Sequence, residues 1–132
     1  MNLLKLNNLL FSIILIGFNI ESKEIDYQGA TLRILNKITT EKTNYIIPLS
    51  QTLELNNAKI IVYRCLKVEN DNREDEIALV SHELESYNDS ESFLGWIFKS
   101  SQYLNTPINP IYDIKLQNCL EKDPIFLKKI PI

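Results

Sequence analysis

The chain contains two cysteines, Cys65 and Cys119, 54 positions apart, and no other feature restricts the fold as much. In an exported chain an even pair reads as a disulfide. Closing a loop of that length stabilises a fold by about 4 kcal/mol on the chain-entropy account, a large share of the total stability of a small domain. Two other readings compete. A structural zinc site wants about four ligands, often in close Cys or His pairs, whereas this chain offers two distant cysteines and one histidine, His82. A nucleophilic thiol needs a positioned base, and the sequence does not place His82 beside either sulfur.

The disulfide reading depends on compartment, and the amino terminus bears on that. Met1–Asn8 carries Lys5 and no acid, Leu9–Phe18 (LLFSIILIGF) is an apolar run, and the chain turns polar at Asn19. A charged start, an apolar middle and a polar exit are the layout of a secretory signal peptide. The run falls short of the about 20 apolar residues that span a bilayer. Ser22 would precede the cut, although Ile20 is bulky where a small residue is usual. An uncleaved anchor or a buried helix is the alternative, and it offers the only expected route to a membrane. The expected organisation is a signal helix over 1–22, a single β-rich domain over 23–119 and a tail over 120–132, in a periplasmic or secreted protein.

With 132 residues, 45% hydrophobic and 23% charged, the chain has an ordinary globular composition. Its net charge of −3 argues against nucleic acid, which is bound through clustered Lys and Arg; the arginines are Arg33, Arg64 and Arg73.

From Ala30 onward the pattern is strand-like. Ala30, Leu32 and Ile34 share one face. Tyr45–Leu49 is a short strand whose Pro48 suits an edge or an end. Thr52–Leu55 runs into an Asn56-Asn57 turn. Lys59–Val68 (KIIVYRCLKV) is apolar on both faces and therefore central. Glu69–Glu76 (ENDNREDE) reads as a solvated connection; it lacks the spacing and the central Gly of a calcium loop. Ile77–Leu84 is a strand or a short helix, and Tyr87–Ser92 a turn. Phe93–Phe98 (FLGWIF) reads as a buried strand in which Gly95 marks a bulge or close packing. Gln102–Pro110 is a loop, and Ile111–Asn118 alternates cleanly, with Tyr112, Ile114 and Leu116 on one side. In the tail, Ile125–Leu127 would dock as an extra edge strand. Short strands with turn signals between them predict an all-β, mainly antiparallel fold, a small sandwich or barrel.

ATLRILNKIT at 30–39, the Pro48 strand, RC at 64–65, GWIFKSS at 95–101, P-x-YD at 110–113 and Cys119 occur in that order. As an ordered set over about residues 28–119 they resemble a bacterial family known as domain of unknown function 2155. The resemblance implies a small exported envelope protein with a disulfide, and it implies no activity. The polar loop at 69–76 and the segment past Cys119 depart from the family pattern.

The same motifs hold the candidate chemistry: Gly95, Trp96, Phe98, Ser100, Ser101, Tyr112 and Asp113. A Ser–Lys dyad needs a deprotonated amine at the serine oxygen, but Lys99 and Ser100 are consecutive and would face opposite ways on a strand. A triad of Ser100, His82 and Asp113 rests on residue types alone. The simpler reading has Ser100 and Ser101 end the strand and bond the following loop. Trp96 and Phe98 alternate onto one face, as core or as a sugar-stacking platform. Asp113 would cap the loop or pair with Arg33 or Arg64. The expected function is that of a structural or binding protein of the cell envelope, its partner an envelope protein or glycan, with no cofactor or metal. The alternatives are an envelope hydrolase using His82 with polar groups of 99–113, and a carbohydrate-binding module using Trp96.

Overall fold

A computed structural model of the chain describes residues 22–85, 90–101 and 110–132. The described elements are all strands, and each ladder is antiparallel. In chain order they are β1 (Ser22–Tyr27), β2 (Gly29–Asn36), β3 (Lys42–Pro48), β4 (Thr52–Leu55), β5 (Ala58–Asn70), β6 (Arg73–Glu85), β7 (Ser90–Phe98), β8 (Tyr112–Leu120) and β9 (Lys128–Pro131). The signal helix expected over 1–22 lies outside the described residues except for Ser22, which opens β1; most of the 102–110 loop and part of the turn at 87–92 also lie outside them.

Two sheets form. The larger runs β1-β5-β6-β7, with β4 sharing an edge of β5 with β1; the smaller runs β8-β2-β3-β9. The apolar, β-branched stretch of β5 makes it central, as its sequence requires. β4 covers Ala58–Ile61 and β1 covers Cys65–Asn70. Between the two coverings, a β-bulge shifts the register of β5 against β6 between Val62 and Arg64. The strand register opposes Cys65 to Ala78, and Ala78 to Ile97, on the inner face of the large sheet. Ala30, Leu32 and Ile34 meet Ile47, Tyr45 and Thr43 on the inner face of the small sheet. Leu32, Ile47, Ile60, Val62, Val80, Ile114 and Leu116 are large side chains removed from solvent between the layers. Each contributes roughly 1.5–3 kcal/mol of burial. The architecture is therefore a two-layer β sandwich.

The turns follow their chemistry. Asn56-Asn57 closes the β4–β5 hairpin, with Leu55 opposite Ala58. Asp71 and Asn72 both have positive φ, at 36° and 77°, the backbone a tight two-residue hairpin turn demands and one that Asp and Asn tolerate. Between β2 and β3, the Asn36 carboxamide oxygen accepts the Ile38 and Thr39 amides.

Several local expectations need correction. Of the connection expected over Glu69–Glu76 only Asp71 and Asn72 are turn: Glu69 and Asn70 end β5, and Arg73–Glu76 starts β6, its backbone pairing with Lys67–Asn70. Ile77–Leu84 is strand, not helix. FLGWIF lies at a sheet edge rather than in its middle, and β7 passes through Gly95 without a register shift; the bulge sits across the sheet in β5. The tail adds an edge strand, but from Lys128 onward. Ile125 and Phe126 stay exposed while Leu127 packs against the core.

Candidate functional site

Cys65 and Cys119 are bonded, with an S–S distance of 1.97 Å and Cα atoms 5.6 Å apart. Cys65 sits in the centre of the large sheet and Cys119 near the end of β8, so the bond crosses the core and fastens one sheet to the other. Both residues are buried, at 0% and 6% exposure.

Around this bond the polar side chains form a connected set. Glu76 follows Asp75 on β6, and its Oε2 accepts the Cys119 amide at 3.2 Å. The same oxygen pairs with Lys99 Nζ at 3.4 Å. Ser100 donates through Oγ to Asp75 Oδ2 at 2.6 Å, and its amide donates to Asp75 Oδ1 at 3.1 Å. On β5, Lys67 lies between Glu69, at 3.4 Å, and Glu74, at 3.6 Å. The Glu74 charge, and then the bond to Glu69, hold its amine above the ordinary lysine value. Lys67, Glu74, Asp75, Glu76, Lys99 and Ser100 line a shallow hollow of about 370 Å³. Ser100 therefore bonds back across the sheet to β6; the loop expected to take bonds from Ser100 and Ser101 lies mostly outside the described residues. Lys99 and Ser100 each take a different carboxylate, so no Ser–Lys dyad forms. Ser101 follows, half-buried.

The other candidate groups are elsewhere. His82 lies on the inner face of β6 between Ile60 and Phe93, 3% exposed, and burial lowers its pKa from 6.5. It is seven positions from Asp75 along β6, roughly 20 Å at strand rise. Asp113 is on the outer face of the small sheet, where it pairs with Lys115 at 3.8 Å rather than with an arginine; Arg33 donates instead to Asn44. Ser100, His82 and Asp113 do not converge. Among the described residues, no group of three or more His, Cys, Asp or Glu side chains could hold a metal ion.

Trp96 is not core. The buried partner in its strand is Ile97, while Trp96 and Phe98 lie half-buried on the outer face of the large sheet. Register places Trp96 beside Leu79 and Leu79 beside Arg64. The guanidinium lies over the indole at 5.9 Å from its centroid and bonds Asp26 at 3.0 Å. The apolar alternation of β7 thus describes an outer face as well as an inner one.

At the end of the sandwich away from the disulfide, the layers part around a cleft of about 230 Å³. Thr43, Tyr45 and Tyr112 rise from the small sheet, Glu54 and Asn56 come from the β4–β5 hairpin, and Lys129 from β9. Ile34 and Leu55 add apolar surface. Burial, then the nearby Glu41 and Tyr112, push the Tyr45 hydroxyl above its ordinary value. The cleft presents hydroxyl, amide, carboxylate and ammonium groups around an apolar patch, suited to holding a small polar group. Only Tyr112 among the sequence-derived candidates reaches it. Tyr45 could have been found, since it alternates with Ile47 onto the core face; Lys129 could not, because nothing local signals the strand that carries it.

Compared with known families, residues 30–119 match the model described as an uncharacterized protein conserved in bacteria (DUF2155). No curated protein and no solved structure gives a significant match.

Proposed function

Because the chain belongs to this uncharacterised bacterial family, we propose that it is a small disulfide-tied β domain of the bacterial cell envelope that acts by binding. The observation that carries this reading is the buried Cys65–Cys119 bond between the sheets. A structural disulfide of this kind suggests an oxidising compartment outside the cytoplasm. The cleft between the parted layers supports binding, as such sites are concave with a few convergent polar groups. The hydrolase alternative needs His82 in one cleft with polar groups of 99–113, and the described Ser100 and Asp113 lie on separate parts of the fold from it. The glycan alternative gains from the outer-face position of Trp96 and loses from the arginine over its ring.

The test is the intact mass of the protein from a bacterial envelope fraction, with and without reduction before alkylation. The expected result is a chain lacking its first twenty or so residues, the usual signal-peptide length, with both thiols blocked until reduction. A full-length cytoplasmic chain with two free thiols would overturn the compartment. Hydrolytic activity of the pure protein that Ser100→Ala or His82→Ala abolishes would overturn binding as the mode of action.

A further inference from the structure

Sheet edges offer unpaired backbone groups to any second strand, and proteins blunt them with short strands, charges, lysines or prolines. Most described edges here are blunted. β4 has four residues, and β1 reads SKEIDY, with three charges in six positions. β8 carries Asp113 and Lys115, and β9 reads KKIP. β7 is different. Among the described strands it is the outermost of the large sheet, nine residues long, with no Pro and no Lys, and Glu91 is its one charge. Its outer face presents Leu94 at 67% exposure, next in alternation to Trp96.

We propose that β7 is a self-association edge, pairing antiparallel with β7 of a second copy about a two-fold axis at Gly95. Three observations select this occupant and this register. Antiparallel pairing must keep outer side chains with outer ones, which leaves registers differing by two residues. Centring on Gly95 sets the exposed Leu94 across from the half-buried Trp96 of the second copy, so that the two apolar residues cover each other, twice by symmetry. The same register sets position 91, a Glu, across from position 99, a Lys, at both ends. Lys99 is still on the ladder there, its amide bonded to the Glu76 carbonyl at 2.9 Å. Centring on Leu94 instead sets Glu91 against Ile97, and centring on Trp96 sets Lys99 against Phe93; both oppose a charge to an apolar residue. Glycine at the axis suits the closest approach of the two backbones.

The experiment is sedimentation equilibrium of the purified protein over a concentration series, with hydrogen exchange of the β7 amides read on the same samples. The expected result is a mass that doubles as concentration rises, together with β7 amides that exchange more slowly in the dimer. Leu94→Lys, which puts a lysine on an exposed edge position, should keep the protein at monomer mass with its β circular dichroism intact, and Leu94→Ile should leave the dimer in place. Glu91→Lys should weaken the dimer about tenfold or more, and Glu91→Lys with Lys99→Glu should recover most of that loss. A monomer throughout the series, as an edge reserved for a different protein's strand would give, overturns the proposal. So does a dimer indifferent to Leu94→Lys. If Leu94→Lys does not fold, exchange in the unaltered chain decides, and β7 amides unchanged with concentration overturn it.

Discussion

The two ends of the sandwich are built on opposite terms. At one end the sheets are held by a covalent bond, and nearly every polar side chain there is committed. Glu76 serves the Cys119 amide and Lys99, Asp75 serves Ser100 twice, and Lys67 is shared by two glutamates. At the other end nothing covalent joins the layers, and the space between them is an open cleft lined by polar groups on an apolar base. The first end fixes the separation of the sheets, so the second can stay apart without collapsing. A domain of this size has only about 5–15 kcal/mol of net stability. It can leave a cleft unfilled if a cross-link elsewhere limits the entropy of the unfolded chain.

Replacing both Cys65 and Cys119 by Ala tests that division most severely. The expected loss is about 4 kcal/mol for this 54-residue separation, read as a fall in the urea midpoint. A loss below about 1 kcal/mol would mean that packing alone holds the sheets. Gly29→Ala probes the same end more gently. Gly29 pairs with Pro48 and Leu120, and a Cβ there would stand 3.0 Å from the Ile47 carbonyl and 3.0 Å from the Pro124 ring. Backbone cannot yield as a flexible side chain does, so overpacking should cost about 1–3 kcal/mol by thermal unfolding.

How far the sequence reaches can be seen in the same two ends. Cys65 and Cys119 announce the clamp, because an even pair of cysteines in a chain that reads as exported has few other uses. The core strands were legible from alternation: Leu32 with Ile34, Ile114 with Leu116, and the doubly apolar β5. The partners of Glu76 and Asp75 were not, since ENDNREDE is read by composition as loop, and only pairing with β5 turns its second half into strand. The cleft was illegible for a related reason. Its walls come from β3, β8, β9 and the β4–β5 hairpin, and proximity between such distant segments is a property of topology, not of any local pattern. FLGWIF misleads most, because an edge strand with apolar residues on both faces looks like a buried one.

Solution pH should bear on the open half more than on the clamp. His82 belongs to the row of Ile60 and Phe93, beyond the middle of the sheet from Cys65. Burial disfavours its charged form, so its folded pKa lies below the unfolded 6.5. Unfolding therefore takes up a proton as pH falls through the unfolded value. The stability of the neutral buried histidine is complete above about pH 6.5 and declines below it, until the folded pKa is reached. Urea midpoints at pH 7.5 and 5.5 should differ in that direction, and His82→Leu should flatten the difference. A slope unchanged by His82→Leu would place the titrating group elsewhere.

The smallest effect expected lies on the outer face of the large sheet, which belongs to neither end. Arg64 bonds Asp26, with the two side chains 48% and 66% exposed, and pairs of that kind contribute roughly 0–1 kcal/mol. Asp26→Ala should thus barely move the melting temperature. It should nevertheless free the guanidinium that lies over Trp96, and tryptophan emission reports that directly as a shift in wavelength and in iodide quenching. Arg64→Ala should give a larger shift of the same kind, because it removes the cover itself. An emission change with stability unaltered would show that this surface is organised for contact rather than for holding the fold. A stability loss as large as that of Gly29→Ala would mean that the β1 edge, through Arg64, shares the work assigned here to the disulfide.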